Sequence, residues 1–217
     1  MKKILIPTDF SDQAENALKV AVQLAKKHNS EIYLLHTLEL PLAQVDPLNT
    51  VQSLPEALYF MRLAHKQFEE LLKKDYLKGL NVHEIVEFHE IFKGVFQVCK
   101  KYDIDLIVMG SHGTNGFKEM IIGSNTEKVV RTSEVPVLVV KKEHPFAKCS
   151  DFDNYTVNIY NDMNVEKGIM NFSKSISADL IGMCTHGRQG ISHFFNGSIS
   201  EDLVNHAKRP VMTFKIE

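Results

Sequence analysis

Leu106-Ile-Val-Met-Gly-Ser-His-Gly113 is followed, after nine intervening residues, by Gly123-Ser-Asn-Thr-Glu127. The apolar run Leu106–Met109 predicts a buried strand, and Glu127-Lys-Val-Val-Arg131 predicts the start of a helix. A strand that runs through a glycine-rich loop into a helix N-terminus is suited to hold phosphate. The glycines let backbone N–H groups approach an anion, and the helix end adds unsatisfied donors and partial positive charge. The spacing is neither Gly-x-x-x-x-Gly-Lys-Ser/Thr nor Gly-x-Gly-x-x-Gly, so the two commonest nucleotide fingerprints are excluded.

Outward from this stretch, apolar runs alternate with helical stripes. Lys3–Pro7 and Glu31–Thr37 predict buried strands, Val82–Phe88 an edge strand, and Val135–Val140 the last strand of the first half. Ala14, Ala17, Leu18, Ala21, Leu24 and Ala25 form a helical stripe, with Ser11 or Asp12 as cap and Asp12/Glu15 at capping-box spacing. Leu38–Ser53 lacks a period, and Pro55 fits a first helical position. Leu58, Met61, Leu63, Phe68, Leu71 and Leu72 then predict a second helix to about Leu77, and Phe92–Tyr102 a third. Ser124 and Glu127 have capping-box spacing before the fourth. Strands alternating with helices imply a doubly wound parallel α/β sheet with helices on both faces.

The chain has 217 residues, 44% of them hydrophobic and 24% charged, with a net charge of −2. These are the proportions of a globular domain and leave no basic footprint for nucleic acid. The opening Met1-Lys-Lys-Ile-Leu-Ile6 meets Pro7 too early for a signal sequence, and no run reaches membrane-spanning length. The expected location is the cytoplasm. Cys99, Cys149 and Cys184 are odd in number and lack metal spacing, which fits small hydrophobic thiols in a reducing compartment. His65, His83 and His89 likewise share no ligand spacing, so no structural zinc is expected.

Three motifs in order resemble the universal stress protein family. They are Ile4-Leu-Ile-Pro-Thr-Asp-Phe-Ser11, the loop Gly110-x-x-Gly113 followed by nine residues and Gly123-Ser124, and Val135-Pro-Val-Leu-Val-Val140. The resemblance spans residues 1–142 and implies strand order 3-2-1-4-5. That order makes strands one and four neighbours, with Asp9 and Gly110 at the switch point where ligands bind. It further implies ATP or AMP as ligand, with or without Mg. Asp9 would accept from the adenine amino group, and Thr37 would contact the nucleotide through its backbone. Gly110, Gly113, Gly123, Ser124 and Asn125 would surround ribose and phosphates.

The pattern then repeats. Asp103-Ile-Asp-Leu-Ile-Val-Met-Gly-Ser-His-Gly113 aligns with Ser177-Ala-Asp-Leu-Ile-Gly-Met-Cys-Thr-His-Gly187, and the same offset of 74 takes Gly94 to Gly168, Gly123-Ser124 to Gly197-Ser198 and Pro136 to Pro210. The reading is a complete domain over 1–142 and a partial second copy of the same fold over 143–217. Roughly 70 residues of a full copy are missing between them, covering strands one and two and their helices. Either the protein carries an internal deletion or the sequence omits a segment, and the intact motifs on both sides favour omission. Cys184 replaces Gly110 and no second Asp9 exists, so one nucleotide per chain is expected.

The implied function is a cytoplasmic stress-response protein that senses or buffers an adenine nucleotide. No catalytic residue is assigned, since His112 and His186 have no nucleophile or paired carboxylate beside them and are expected to order the loop. The competing readings are a ligand-free dimerising module and a slow ATP hydrolase, the latter needing a positioned water and a metal. Val137–Val140 would lie on an open sheet edge. It is expected to pair with Val211–Lys215 as an intrachain pseudo-dimer, or with another chain as a homodimer.

Overall fold

The computed structural model describes residues 1–39, 50–111, 123–141, 162–186 and 199–216. In chain order the elements are β1 (Lys3–Pro7), α1 (Asp12–His28), β2 (Glu31–Thr37), α2 (Thr50–Leu72), a 3-10 turn (Asp75–Leu77), β3 (Val82–Glu87), α3 (Ile91–Tyr102), β4 (Leu106–Gly110), α4 (Ser124–Thr132), β5 (Val137–Val140), α5 (Val165–Ser175), β6 (Ile181–His186), α6 (Ile199–His206) and β7 (Val211–Ile216).

The seven described strands form one sheet in the order β3-β2-β1-β4-β5-β7-β6. The first five strands are parallel and carry the expected order 3-2-1-4-5. Their side chains alternate between two buried layers, which is why these strands read as continuous apolar runs. Ile4, Ile6, Ile32, Leu34, Leu106 and Val108 pack with Ala17, Leu18 and Ala21 of α1 and with Phe68 and Leu71 of α2. Leu5, Tyr33, Leu35, Ile107 and Met109 pack on the opposite face with Val95 and Val98 of α3 and Val129 and Val130 of α4.

Beyond β5, the two described strands join the same sheet. They are parallel to each other, and β7 joins β5 antiparallel with Val137 opposite Thr213, Leu138 opposite Met212 and Val139 opposite Val211. The pairing expected for the exposed fifth strand is thus made within the chain. Val204, Ala207 and Val211 of the second copy enter the same core as α3 and α4. Lys141, just past β5, crosses the seam and donates from Nζ to the Val204 carbonyl at 2.5 Å.

Helix α2 departs from its prediction. It begins at Thr50, which places Pro55 inside it, and ends at Leu72. Only Phe68 and Leu71 of the predicted stripe are buried, joined by Ala64, whereas Leu58 and Leu63 are 47% and 43% exposed. The stripe is helical, but its N-terminal half is not covered by the described residues. The capping of α1 resolves to Ser11, whose Oγ accepts from Ala14 N–H at 3.2 Å. Glu15 faces Lys74 and Lys19 rather than closing a box. Among the described residues no helix is long and apolar enough to cross a membrane.

Candidate functional site

Strand β1 lies between β2 and β4, so successive crossovers leave it in opposite directions. Ile4 pairs with Leu106 and Leu5 with Ile107. Continued along the strands, that register sets Thr8 level with Gly110. The carboxyl ends of β1 and β4 therefore open side by side at the switch point, with Asp9 leaving one and Ser111 leaving the other.

The turn after β1 is held from several sides. Thr8 is buried, donates its N–H to the Leu35 carbonyl at 2.8 Å and accepts at Oγ1 from Phe10 N–H at 3.0 Å. Its carbonyl accepts from His36 Nδ1 at 2.8 Å. Phe10 has φ of 61°, a left-handed conformation uncommon outside glycine. Its ring packs 4.8 Å from His36 and edge-on to Phe68 at 5.0 Å, contacts that hold the strained backbone in place. Asp9 Oδ1 accepts from Ser11 N–H at 3.1 Å, an Asx turn leading into α1. Thr37 ends β2 beneath α3, where a Cβ on Gly94 would stand 2.8 Å from Thr37 Cγ2.

Across the crevice, the two ends of the glycine loop are tied together. Ser111 N–H donates to the Val140 carbonyl at 3.0 Å, and the Ser111 carbonyl accepts from Gly123 N–H at 2.9 Å. Thr126, buried in the first turn of α4, donates from Oγ1 to the Gly110 carbonyl at 3.0 Å. These bonds fix the N-terminus of α4 against the end of β4. The helix begins at Ser124 with Gly123 as N-cap and no side-chain cap, so the predicted Ser124/Glu127 capping box does not form. Gly123 takes the capping position and leaves the Ser124 side chain inside the helix. The amides of Ser124, Asn125 and Thr126 have no acceptor within the helix, and the side chains of Ser124 and Asn125 are exposed. Gly113 and His112 lie outside the described residues, as do Gly187, Gly197 and Ser198.

Gly110 has a structural reason to lack a side chain. A Cβ there would stand 2.9 Å from the Gln13 carbonyl oxygen of α1. Thr8, His36, Phe10 and Thr126 are the residues that sequence reasoning missed. The only signals were a histidine directly after the apolar run Ile32–Leu35 and a threonine recurring as Ser200 in the second copy. A cavity of about 330 Å³ beside Phe10 lies between α1 and α2, and none of the predicted site residues that the structure describes, Asp9, Thr37, Gly110, Gly123, Ser124 and Asn125, lines it. Its rim includes Lys74, which bonds Glu15 at 2.5 Å and holds that carboxyl below its usual range. Among the described residues no three His, Cys, Asp or Glu side chains gather as a metal site requires.

The model of the universal stress protein family matches residues 1–141 and again 159–215. The universal stress protein MJ0531 of Methanocaldococcus jannaschii is 33% identical over 155 residues, covering 65% of this chain and 82% of its own. YxiE of Bacillus subtilis is 31% identical over 145 residues, covering 64% and 98%. The solved structure of MJ0577, also from Methanocaldococcus jannaschii, is 33% identical with a TM-score of 0.56, covering 65% of this chain and 96% of that one. A universal stress protein from Archaeoglobus fulgidus shares the fold over 98% of both chains, with a TM-score of 0.69 at 20% identity.

Proposed function

The chain belongs to the universal stress protein family, and from that premise we propose that its first copy binds one adenine nucleotide, ATP or AMP, and senses or buffers it without turning it over. The observation that carries this reading is the clamp of Thr126 on the Gly110 carbonyl and Gly123 on Ser111. It would set the first amides of α4, which have no acceptor within the helix, beside the crevice at Asp9, where an anion would meet donors and the positive end of the helix. Phosphates would lie over Gly113, Gly123, Ser124 and Asn125, and the base would lie between Asp9 and the backbone of Thr37. Asp9 Oδ1 accepts from Ser11 N–H, a bond that restricts the orientation of the carboxylate. Residues 1–142 would form the complete binding domain and 143–217 a partial copy without a base site. The cytoplasm is the expected compartment, and the nucleotide would bind with or without Mg.

The test is the content of the purified protein. Release of adenine nucleotide on denaturation, followed by incubation with ATP for hours without ADP formation, is the expected result. Protein that is free of nucleotide and takes up none in a titration would leave the interaction-module reading instead. ADP formation abolished by chelating Mg would favour the hydrolase.

A further inference from the structure

Helix α6 of the second copy ends at His206, and the carbonyls of its last turn lack N–H partners within the helix. Ala207 N–H donates to the Leu203 carbonyl at 2.8 Å. The next carbonyl, that of Val204, accepts from Lys141 Nζ at 2.5 Å, so a lysine of the first copy caps a helix of the second. A cation there also opposes the partial negative charge of the helix end. Lys141 and Val204 are both buried, which makes this bond part of the packed seam and not a surface contact.

Lys141 is joined to the glycine loop as directly as it is to α6. The peptide unit that links Val140 to Lys141 supplies the carbonyl to which Ser111 N–H donates at 3.0 Å. Val140 itself stands opposite Gly110 in the pairing of β4 with β5. The Ser111 carbonyl accepts from Gly123 N–H at 2.9 Å, and the Gly123 carbonyl accepts from Glu127 N–H at 3.1 Å in the first turn of α4. Two backbone hydrogen bonds therefore connect the Lys141 peptide to the N-cap of α4. The second copy also holds α4 along its flank. Helix α6 packs beside it, and Val204 and Ala207 share a core with Val129 and Val130. The helix whose first amides would meet phosphate is thus fixed at its start through Lys141 and along its length by α6.

We propose that Lys141 is a positioning residue for the phosphate end of the nucleotide site, through which the docked second copy sets the geometry of the glycine loop and the affinity of the first copy for its ligand. The proposal rests on the reading that the first copy binds an adenine nucleotide. Beyond that reading it gives the second copy a task. With no counterpart of Asp9 in the sequence, that copy contributes rigidity to the site and no ligand contact of its own. A loop already held in its binding geometry loses less freedom when the ligand arrives, and the smaller loss appears as affinity. The coupling is reciprocal, so nucleotide bound at α4 tightens the seam by the same factor. A lysine that served the fold alone would add stability without this coupling. Here stability and affinity should part, because an ammonium is costly to bury. Lys141→Met removes that cost together with the bond, so at pH 7 its fold is no weaker while its loop is looser.

The test uses the full chain at pH 7, unaltered and as Lys141→Met and Lys141→Arg. Amide exchange without nucleotide, read residue by residue by NMR, should quicken about tenfold at Ser111 and Gly123 in Lys141→Met. Ile32 N–H, which donates to the Asn81 carbonyl at 2.9 Å near the opposite end of the strands, should not change. Calorimetric titration with ATP should show affinity lowered about fivefold or more, with a urea midpoint no lower than that of the unaltered protein. Lys141→Arg keeps a cationic donor at the seam and should recover most of the affinity. Unchanged exchange at Ser111 and Gly123 overturns the proposal. Equal acceleration at Ile32 overturns it too, because the loss would then be general destabilisation, and so does unchanged ATP affinity beside a loosened loop. If the unaltered protein takes up no ATP, the nucleotide reading falls by itself, and the exchange comparison still decides whether Lys141 positions the loop.

Discussion

The carbonyl oxygen of Gln13 lies 2.9 Å from the position a Cβ on Gly110 would occupy, with the Gln13 carbonyl carbon at 3.0 Å. The obstructing atoms are backbone in the first turn of α1, so they cannot swing aside as a side-chain tip would. Gly110→Ala should therefore push α1 from β4 and cost about 1–3 kcal/mol. A urea midpoint equal to that of the unaltered protein would show that α1 yields freely. The second copy has Cys184 at this position and, among the described residues, no helix corresponding to α1.

That contact shows where the sequence was legible and where it was not. The buried strands could be read because both faces are covered and their apolar runs are continuous. The switch point followed from the order of strands and helices. The pairing of β5 with β7 followed from a bare apolar edge. Gly110 offered no such signal, because its constraint comes from Gln13, 97 residues earlier in the chain. Helix α2 misled for the opposite reason. Leu58 and Leu63 keep helical spacing, but the described residues do not cover them. The Ser124/Glu127 box had the right spacing, yet Gly123 caps the helix through its backbone while Thr126 turns inward to the Gly110 carbonyl.

Cys99 should be inert. Burial on α3 pushes its thiol up to about 12, so almost none is thiolate at neutral pH. In a variant with Cys149 and Cys184 replaced by serine, a thiol reagent at pH 8 should label the native protein far more slowly than the urea-unfolded chain. Equal rates would mean that the helix face opens readily.

Asp9 and the second loop separate base recognition from phosphate binding. Asp9→Ala should lower the preference for ATP over GTP about tenfold or more, since a site built to accept from an amino group loses its acceptor. Gly197→Val should leave the stoichiometry at one nucleotide per chain, because the second copy has no aspartate-bearing strand. Equilibrium dialysis with both nucleotides measures each outcome. Two equivalent sites per chain would refute the asymmetry between the copies.

Lys141 sets a pH dependence at the seam between the copies. It is only 8% exposed, and burial lowers its pKa from 10.5 to about 8 while Nζ donates to the Val204 carbonyl. A depressed lysine pKa means that the folded state releases the proton first. Between about pH 8 and 10.5 the unfolded chain binds more protons from this group than the folded one does, so stability rises with pH across that window. Below the window the burial cost of the charge is constant, and above it the lysine is neutral in both states. The full span corresponds to roughly 3 kcal/mol. Lys141→Met keeps similar volume and removes the titration, so its stability relative to the unaltered protein should fall steadily from pH 8 to 10. Urea unfolding at several pH values in that range isolates the effect, since tyrosines and other lysines titrate alike in both proteins. A difference that does not change with pH would mean that Lys141 stays solvated and that the seam does not hold it.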